Sequence, residues 1–324
     1  MKYIKLILIP LIFFGCQAQT EKLLVEKSLI SDWSKYPMYS KLVEEKEGVN
    51  EWKDEYYYLD SINVYEITYL SDGLKIKGFL VEPKSKGKYP CIIYNRGGNR
   101  EFGSLKAYHA ATRLGQIAKE GYVIIASQYR GNEGSEGQEE FGGNDVNDVV
   151  ILPQVLKEIT RANTDKIGMY GWSRGGMMTY IALTKTDKIK AAIVGGAVSD
   201  GFALVKDRPD LEDVVHAELI PNYTSNKKEE LTKRSAVKWA DRFSKEVPIL
   251  ILHGNSDWRV KPEQSLIMAL EFEKQRIPYR LIMFEGGDHG ITEHRNEVNR
   301  EVLNWFDRYL KNDEKLPNMQ YHGR

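Results

Sequence analysis

The stretch "DKIGMYGWSRGGMMTYIAL", residues 165–183, carries an apolar run into a helical one, with Gly171-Trp172-Ser173-Arg174-Gly175 at the junction. With 27 glycines in the chain, a Gly-x-Ser-x-Gly match arises by chance in roughly one such chain in ten, so the pattern alone decides little. Its placement says more. A serine between a buried strand and a helix has the layout of a nucleophile elbow, a strained turn that lifts the hydroxyl above a sheet. Glycines at 171 and 175 would let strand and helix approach closely, and the Arg174 N–H at the helix start is the expected first oxyanion donor. The plainer alternative is a small residue in an ordinary strand-to-helix connection.

Working outward, the same alternation recurs. The apolar runs "YPCIIYN", "GYVIIASQY", "AAIVGG", "VPILILHG" and "YRLIMFE" are separated by helical patterns such as "AYHAATRLGQIAKEG" and "PEQSLIMALEFEKQRI". Short continuous apolar strands between amphipathic helices predict an α/β fold, a mostly parallel, doubly wound sheet covered on both faces. Ahead of it, "INVYEITYLSDGLKIKGFLVEP" reads as a hairpin turning at Asp72-Gly73. The main domain is expected over 61–312, with a 313–324 tail. The long charged segment 200–240, between two core strands, reads as a lid-like insertion, and its "SNKKEELTKR" as a solvated helix face. Residues 16–60 form a tether and N-terminal packing arm, with an amphipathic helix expected near "EKLLVEKSLISDW".

Composition narrows the partners. The 324 residues balance 46 basic against 46 acidic side chains, so nothing favours phosphate backbones, and no nucleic-acid partner is expected. The opening "MKYIKLILIPLIFFGCQAQ" has the layout of a secretory signal and ends on Gly15-Cys16. It resembles a bacterial lipobox. Cleavage after Gly15 and lipidation of Cys16 would export the protein and anchor it to a membrane face; a plain signal peptide with an incidental cysteine is the alternative. The second cysteine, Cys91, is then alone, which excludes an internal disulfide and a cysteine metal site.

A serine nucleophile needs a base, and the base an orienting carboxylate, in the order Ser, acid, His at successive strand ends. Downstream, "PILILHGNSDWRV" places Asp257 beyond one strand and "YRLIMFEGGDHG" places His289 beyond the next. Asp200 is the second choice of acid, and Asp288 adjoins the histidine too closely to orient it. His253 is expected to bond its loop, whereas His109, His216, His294 and His322 lack a strand-end context. Ser235-x-x-Lys238 comes without its companion motifs, and Asp145 and Asp148 read as helix-start carboxylates before metal ligands. A second oxyanion donor is expected near Gly97 in "NRGGNREFG", where glycines permit close backbone approach.

Together, "YLSDGLKIKGFLVEP", "YRGNEGSEGQEEFGGNDVNDV", "GMYGWSRGGMM", "RSAVKWADRFSKEVPILILHGNSDWRV" and "GGDHG" resemble the catalytic domain of the prolyl oligopeptidase family of serine peptidases over about 62–311. The resemblance implies an α/β-hydrolase fold with Ser173 as nucleophile, Asp257 as acid and His289 as base, without metal or cofactor. It implies hydrolysis of short peptides, with small or sugar esters as the alternative and a non-catalytic surface binding lipoprotein as a distant one. Familiar members carry a β-propeller, for which the residues after Cys16 leave no room. Where those members have Tyr or His before the Gly-Gly of the oxyanion loop, this chain has Arg96, so its side chain enters as a candidate donor.

Overall fold

The computed structural model describes residues 22–323; the signal segment and Cys16 fall outside the described residues. In chain order the strands are β1 (Leu24–Leu29), β2 (Val43–Lys46), β3 (Val49–Trp52), β4 (Ile62–Ser71), β5 (Leu74–Pro83), β6 (Tyr89–Asn95), β7 (Val123–Ser127), β8 (Ala162–Trp172), β9 (Ile189–Gly195), β10 (Ile249–Gly254) and β11 (Tyr279–Phe284). Nine of them form one sheet in the order β1-β4-β5-β7-β6-β8-β9-β10-β11, and β2 pairs with β3 apart from it. From β7 to β11 every pairing is parallel, whereas β1, β4 and β5 add an antiparallel flank. All the expected parallel strands are present.

Alternation within each strand builds two cores. Ile93, Ile125, Met169, Val194 and Ile251 point to one face, under the helix Arg174–Leu183. Their neighbours Ile92, Ile124, Tyr170, Ile193 and Leu250 point to the other, under the C-terminal helix Arg295–Phe306. Both faces are dry, which is why these strands read as continuous apolar runs. The hairpin β4–β5 turns where expected: Asp72 and Gly73 take φ of 51° and 78°, the paired left-handed conformations of a type I′ turn.

One expected element is corrected. Residues 24–29 form edge strand β1, antiparallel to β4, and not an amphipathic helix. Apolar residues at 23, 24, 29 and 30 suit a helical spacing, but β4 offers an unpaired ladder to which alternate residues of the segment bond, and tertiary pairing overrides local preference. The amides of Leu23 and Leu24 then bond the Glu158 carboxylate at 2.7 and 3.1 Å, anchoring the strand's start. The rest of the arm packs Trp33, Tyr36, Tyr39, Trp52, Tyr56 and Tyr58 against the second core.

The segment 200–240 folds into short helices and the helix Tyr223–Lys233, whose residues are mostly exposed. Among the described residues no helix is long and apolar enough to cross a membrane.

Candidate active site

Ser173 sits at the end of β8 with φ 58° and ψ −123°, a conformation that costs a non-glycine residue about 1–3 kcal/mol. The surrounding contacts fix it there. Its amide donates to the Gly195 carbonyl at 2.8 Å, and its own carbonyl accepts from the Gly176 amide at 2.9 Å. The glycines on either side are sterically required: a Cβ on Gly171 would lie 2.1 Å from the Gly175 carbonyl oxygen, and one on Gly175 would lie 1.9 Å from that of Asn95. Because both obstacles are main chain of the central sheet and helix, neither can yield cheaply. Gly175→Ala is therefore expected to destabilise the protein by about 3 kcal/mol or more in denaturant unfolding. A loss below about 1 kcal/mol would contradict so close an approach.

Trp172, beside the serine, reaches across the neighbouring strand. A Cβ on Gly195 would fall 2.2 Å from its ring, so only glycine lets the indole lie flat there, and Nε1 donates to the His289 carbonyl at 2.8 Å. This bond ties the serine's turn to the histidine's loop. His289 follows β11, and its Nδ1 lies 2.7 Å from Asp257 Oδ2, at the turn after β10. Gly196, next after β9, closes the gap between them: a Cβ there would meet His289 Nδ1 at 3.3 Å and Asp257 Oδ2 at 3.4 Å. Asp257 is thus the carboxylate that meets His289. Asp200 instead caps its own helix, accepting from the Phe202 amide at 2.9 Å.

Asp257 is buried and saturated. Its Oδ1 accepts from the amides of Arg259 and Val260 at 2.8 and 3.0 Å, and Oδ2 lies 3.2 Å from His253 Nε2 as well as near His289. Burial pushes the carboxyl's pKa up, but the bonds from His253 and His289 and the Val260 amide outweigh it and hold the group well below the usual carboxylate range. His253 also bonds its own loop, as expected, with Nε2 2.9 Å from the Val260 carbonyl and Nδ1 2.5 Å from Ser265 Oγ. With an ionised partner on Nδ1, His289 keeps its proton there and leaves Nε2 free to accept one.

Gly97 borders the serine on the opposite side, where a Cβ would stand 3.8 Å from Ser173 Oγ. The peptide preceding Gly97 is oriented from behind, because the Arg96 carbonyl accepts from the Tyr129 hydroxyl at 2.9 Å. In a trans peptide the Gly97 N–H then points the opposite way. The Arg96 guanidinium is occupied: it donates to the carbonyls of Gln128, Gly97 and Arg100 at 3.0 to 3.3 Å. It supports the loop from beneath.

Beneath that loop lies a charge cluster that the sequence pattern leaves hidden. Arg174, 2% exposed, pairs with Glu139 and with Asp145 at 2.5 Å, and donates to the Gly98 carbonyl at 3.0 Å. Burial opposes its charge, but Glu139 and Asp145 more than restore it and raise the guanidinium's pKa. Tyr129, at φ 67°, lies between the Arg96 and Arg174 guanidiniums, 5.1 and 5.0 Å from its ring centre. Glu139 reaches on to the Arg100 amide at 2.8 Å, and the Arg100 side chain bonds the Val214 carbonyl at 3.1 Å and Glu218 in the insertion. Asp145 and Asp148 do stand at helix starts, yet their carboxylates serve Arg174 and Arg130. A charged residue in the first turn of the otherwise apolar helix Arg174–Leu183 was the one available signal, since a buried guanidinium requires a carboxylate. Among the described residues no cluster of His, Cys, Asp or Glu could hold a metal ion.

Comparison with known proteins bears on family and fold. The sequence profile of the prolyl oligopeptidase family matches residues 108–313. The chain is 29% identical over 252 residues to the uncharacterized peptidase YtmA of Bacillus subtilis, covering 78% of this chain and 94% of that one. It is 25% identical to dipeptidyl-peptidase 5 of Porphyromonas gingivalis over 69% of its own length but only 34% of the relative's. The acylaminoacyl peptidase of Pyrococcus horikoshii superposes with a TM-score of 0.67 at 24% identity, covering 82% of this chain and 46% of that one. An acetyl xylan esterase from Paenibacillus sp. R4 shares the fold with a TM-score of 0.60 at 16% identity, over 78% and 86%. The matches to the larger peptidases stop short of half their length. With a family match over most of its length and a mostly parallel central sheet flanked by helices, the chain belongs to the prolyl oligopeptidase family and is a serine peptidase with the α/β-hydrolase fold.

Proposed function

We propose that Ser173, His289 and Asp257 form a catalytic triad with which this peptidase cleaves short peptides through an acyl-enzyme. The observation that carries the proposal is the 2.7 Å bond from His289 Nδ1 to Asp257 Oδ2, made at the sheet edge where Ser173 holds its strained turn. Ser173 Oγ attacks the scissile carbonyl while His289 Nε2 takes the hydroxyl proton. The oxyanion is held by the Arg174 N–H at the helix start and the Gly97 N–H that Tyr129 fixes from behind. His289 then gives its proton to the departing amine, and the C–N bond breaks to leave the acyl-serine. Water repeats the sequence: His289 takes its proton, the hydroxide adds to the ester, and Ser173 leaves with the proton returned.

The names of the relatives, dipeptidyl-peptidase and acylaminoacyl peptidase, support a peptide substrate. Exposed side chains at the loops flanking the triad support a short one. Phe102 and Trp258 are 63% and 67% exposed, with the Arg259 guanidinium set 5.6 and 5.5 Å from their ring centres, so an extended chain end has an amphipathic wall to lie on. The test is a panel of short peptide anilides beside p-nitrophenyl and sugar esters, compared by kcat/KM, with a fluorophosphonate adduct mapped by mass spectrometry. Turnover of anilides and an adduct on Ser173 are expected. Turnover of esters alone would replace the peptide reading with an esterase. A folded protein that takes no label would leave only a binding role.

A further inference from the structure

Two tyrosines at the rim of the second core leave their hydroxyls unspent. Tyr94, near the end of β6, and Tyr170, its register partner in β8, are 8% and 9% exposed, and their rings meet edge to face at 5.5 Å. The equally buried Tyr69 and Tyr129 spend theirs on Ser127, the Asp148 carbonyl and the Arg96 carbonyl. Tyr170 has no hydrogen-bond partner among the described residues, and the Tyr94 hydroxyl faces the Arg113 guanidinium. Burial raises the pKa of both hydroxyls, so each stays protonated and able to donate. Arg113 is exposed on the helical segment 107–118 that covers this face, and it makes no ion pair among the described residues. One guanidinium and two phenolic donors, with no carboxylate among them, suit an oxygen anion.

The place of these donors tells which anion. Tyr170 packs on Trp172 at 6.3 Å, and Trp172 Nε1 holds the His289 carbonyl at 2.8 Å, so the cluster continues directly from the triad. In the proposed reaction His289 protonates the departing amine, which puts the leaving fragment on the histidine's side of Ser173. That fragment runs over Trp172 toward Tyr170 and Arg113. From Ser173 back to Tyr170 is three positions of strand, about 10 Å, a length that two or three extended substrate residues span. Resting on this reading of the triad, we infer that Arg113, Tyr170 and Tyr94 bind the free C-terminal carboxylate of the leaving fragment. The substrate class narrows to peptides that end two or three residues beyond the scissile bond, from which the enzyme removes a C-terminal di- or tripeptide.

The test uses N-acylated peptides that carry the acyl group of the best anilide and end one, two, three or six residues past the bond, each as free acid and as C-terminal amide. Their kcat/KM is measured on wild type, and their Kd on Ser173→Ala, which needs no turnover. The acid should be favoured over the amide about tenfold or more at two or three residues, and less at one or six. Arg113→Gln should erase that preference, Arg113→Lys should keep part of it, and Tyr170→Phe should reduce it about threefold. Partial rescue by lysine excludes misfolding as the cause of the loss. An acid-to-amide ratio near one at every length overturns the inference, as does a preference that survives Arg113→Gln or is as large at six residues as at two. Peptides that bind in neither form overturn it too. A fluorophosphonate adduct missing from Ser173 would instead overturn the triad and leave the binding ratio readable.

Discussion

Ser173→Ala is expected to lower kcat by about six orders of magnitude while leaving the fold and substrate binding intact. The turn's geometry is set by its surroundings: the Gly195 carbonyl, the crowded glycines at 171 and 175 and the Trp172 indole all stay in place when one oxygen is removed. Alanine takes the strained φ of 58° no more readily than serine, so no new strain is added. What disappears is the atom that bonds the acyl group. Residual turnover would come from the oxyanion donors and from bound geometry alone, at about 10³–10⁴ over water. Single-turnover kinetics on the best anilide, with thermal unfolding as the control for folding, gives the measurement. A variant retaining more than about one-hundredth of the activity would remove Ser173 from the reaction and point to another nucleophile.

Asp257→Asn should cost about 10⁴ in kcat with little change in KM. The carboxamide fills the same space but presents an N–H or a neutral oxygen to His289, so the ring can turn its lone pair toward residue 257 and its proton toward the serine, the wrong tautomer for a base. Asp200→Asn, which disturbs only a helix cap, should change turnover by less than about tenfold. The reverse ranking would show that the acid comes from the strand before. Stability supplies a second reading of the same substitution. The Asp257 carboxyl sits below its unfolded range near pH 4, so its stabilising contribution is complete above that value and is lost as the pH falls below it. Denaturant midpoints measured from pH 5 downward should therefore fall less steeply for Asp257→Asn than for wild type.

The parallel sheet could be read from the chain because a strand dry on both faces has no choice but continuous apolar residues, as in "YPCIIYN", which is β6 residue for residue. The Ser, Asp, His order could be read because each residue lies within five positions of the end of an apolar strand. Local chemistry announced both. Partners chosen across the fold were silent: β1 became a strand because β4 lay open beside it, and nothing within residues 21–33 states that. Tyr129 looked like the tail of "GYVIIASQY", yet it turns left-handed and sets the Arg96 peptide through a hydroxyl bond spanning 33 positions. Of the neighbouring carboxylates, Glu139 and Asp145 pair with Arg174 while Glu140 binds Asn144, a division that only the folded backbone makes. Arg96, where the resemblance suggested a side-chain donor, is buried and its guanidinium bonds carbonyls.

The link from Glu218 through Arg100 and Glu139 to Arg174 joins the insertion to the backbone beside the nucleophile by hydrogen bonds and ion pairs alone. In engineering terms, segment 200–240 is not an interchangeable cover. Exchanging it for a shorter or foreign loop would take away Glu218 and the Val214 carbonyl together, leaving the Arg100 side chain, on the loop that carries Gly97, without either partner. Changes in that segment would thereby be felt on the loop next to Ser173. A replacement segment would keep that connection only if it rebuilt the Arg100 attachment.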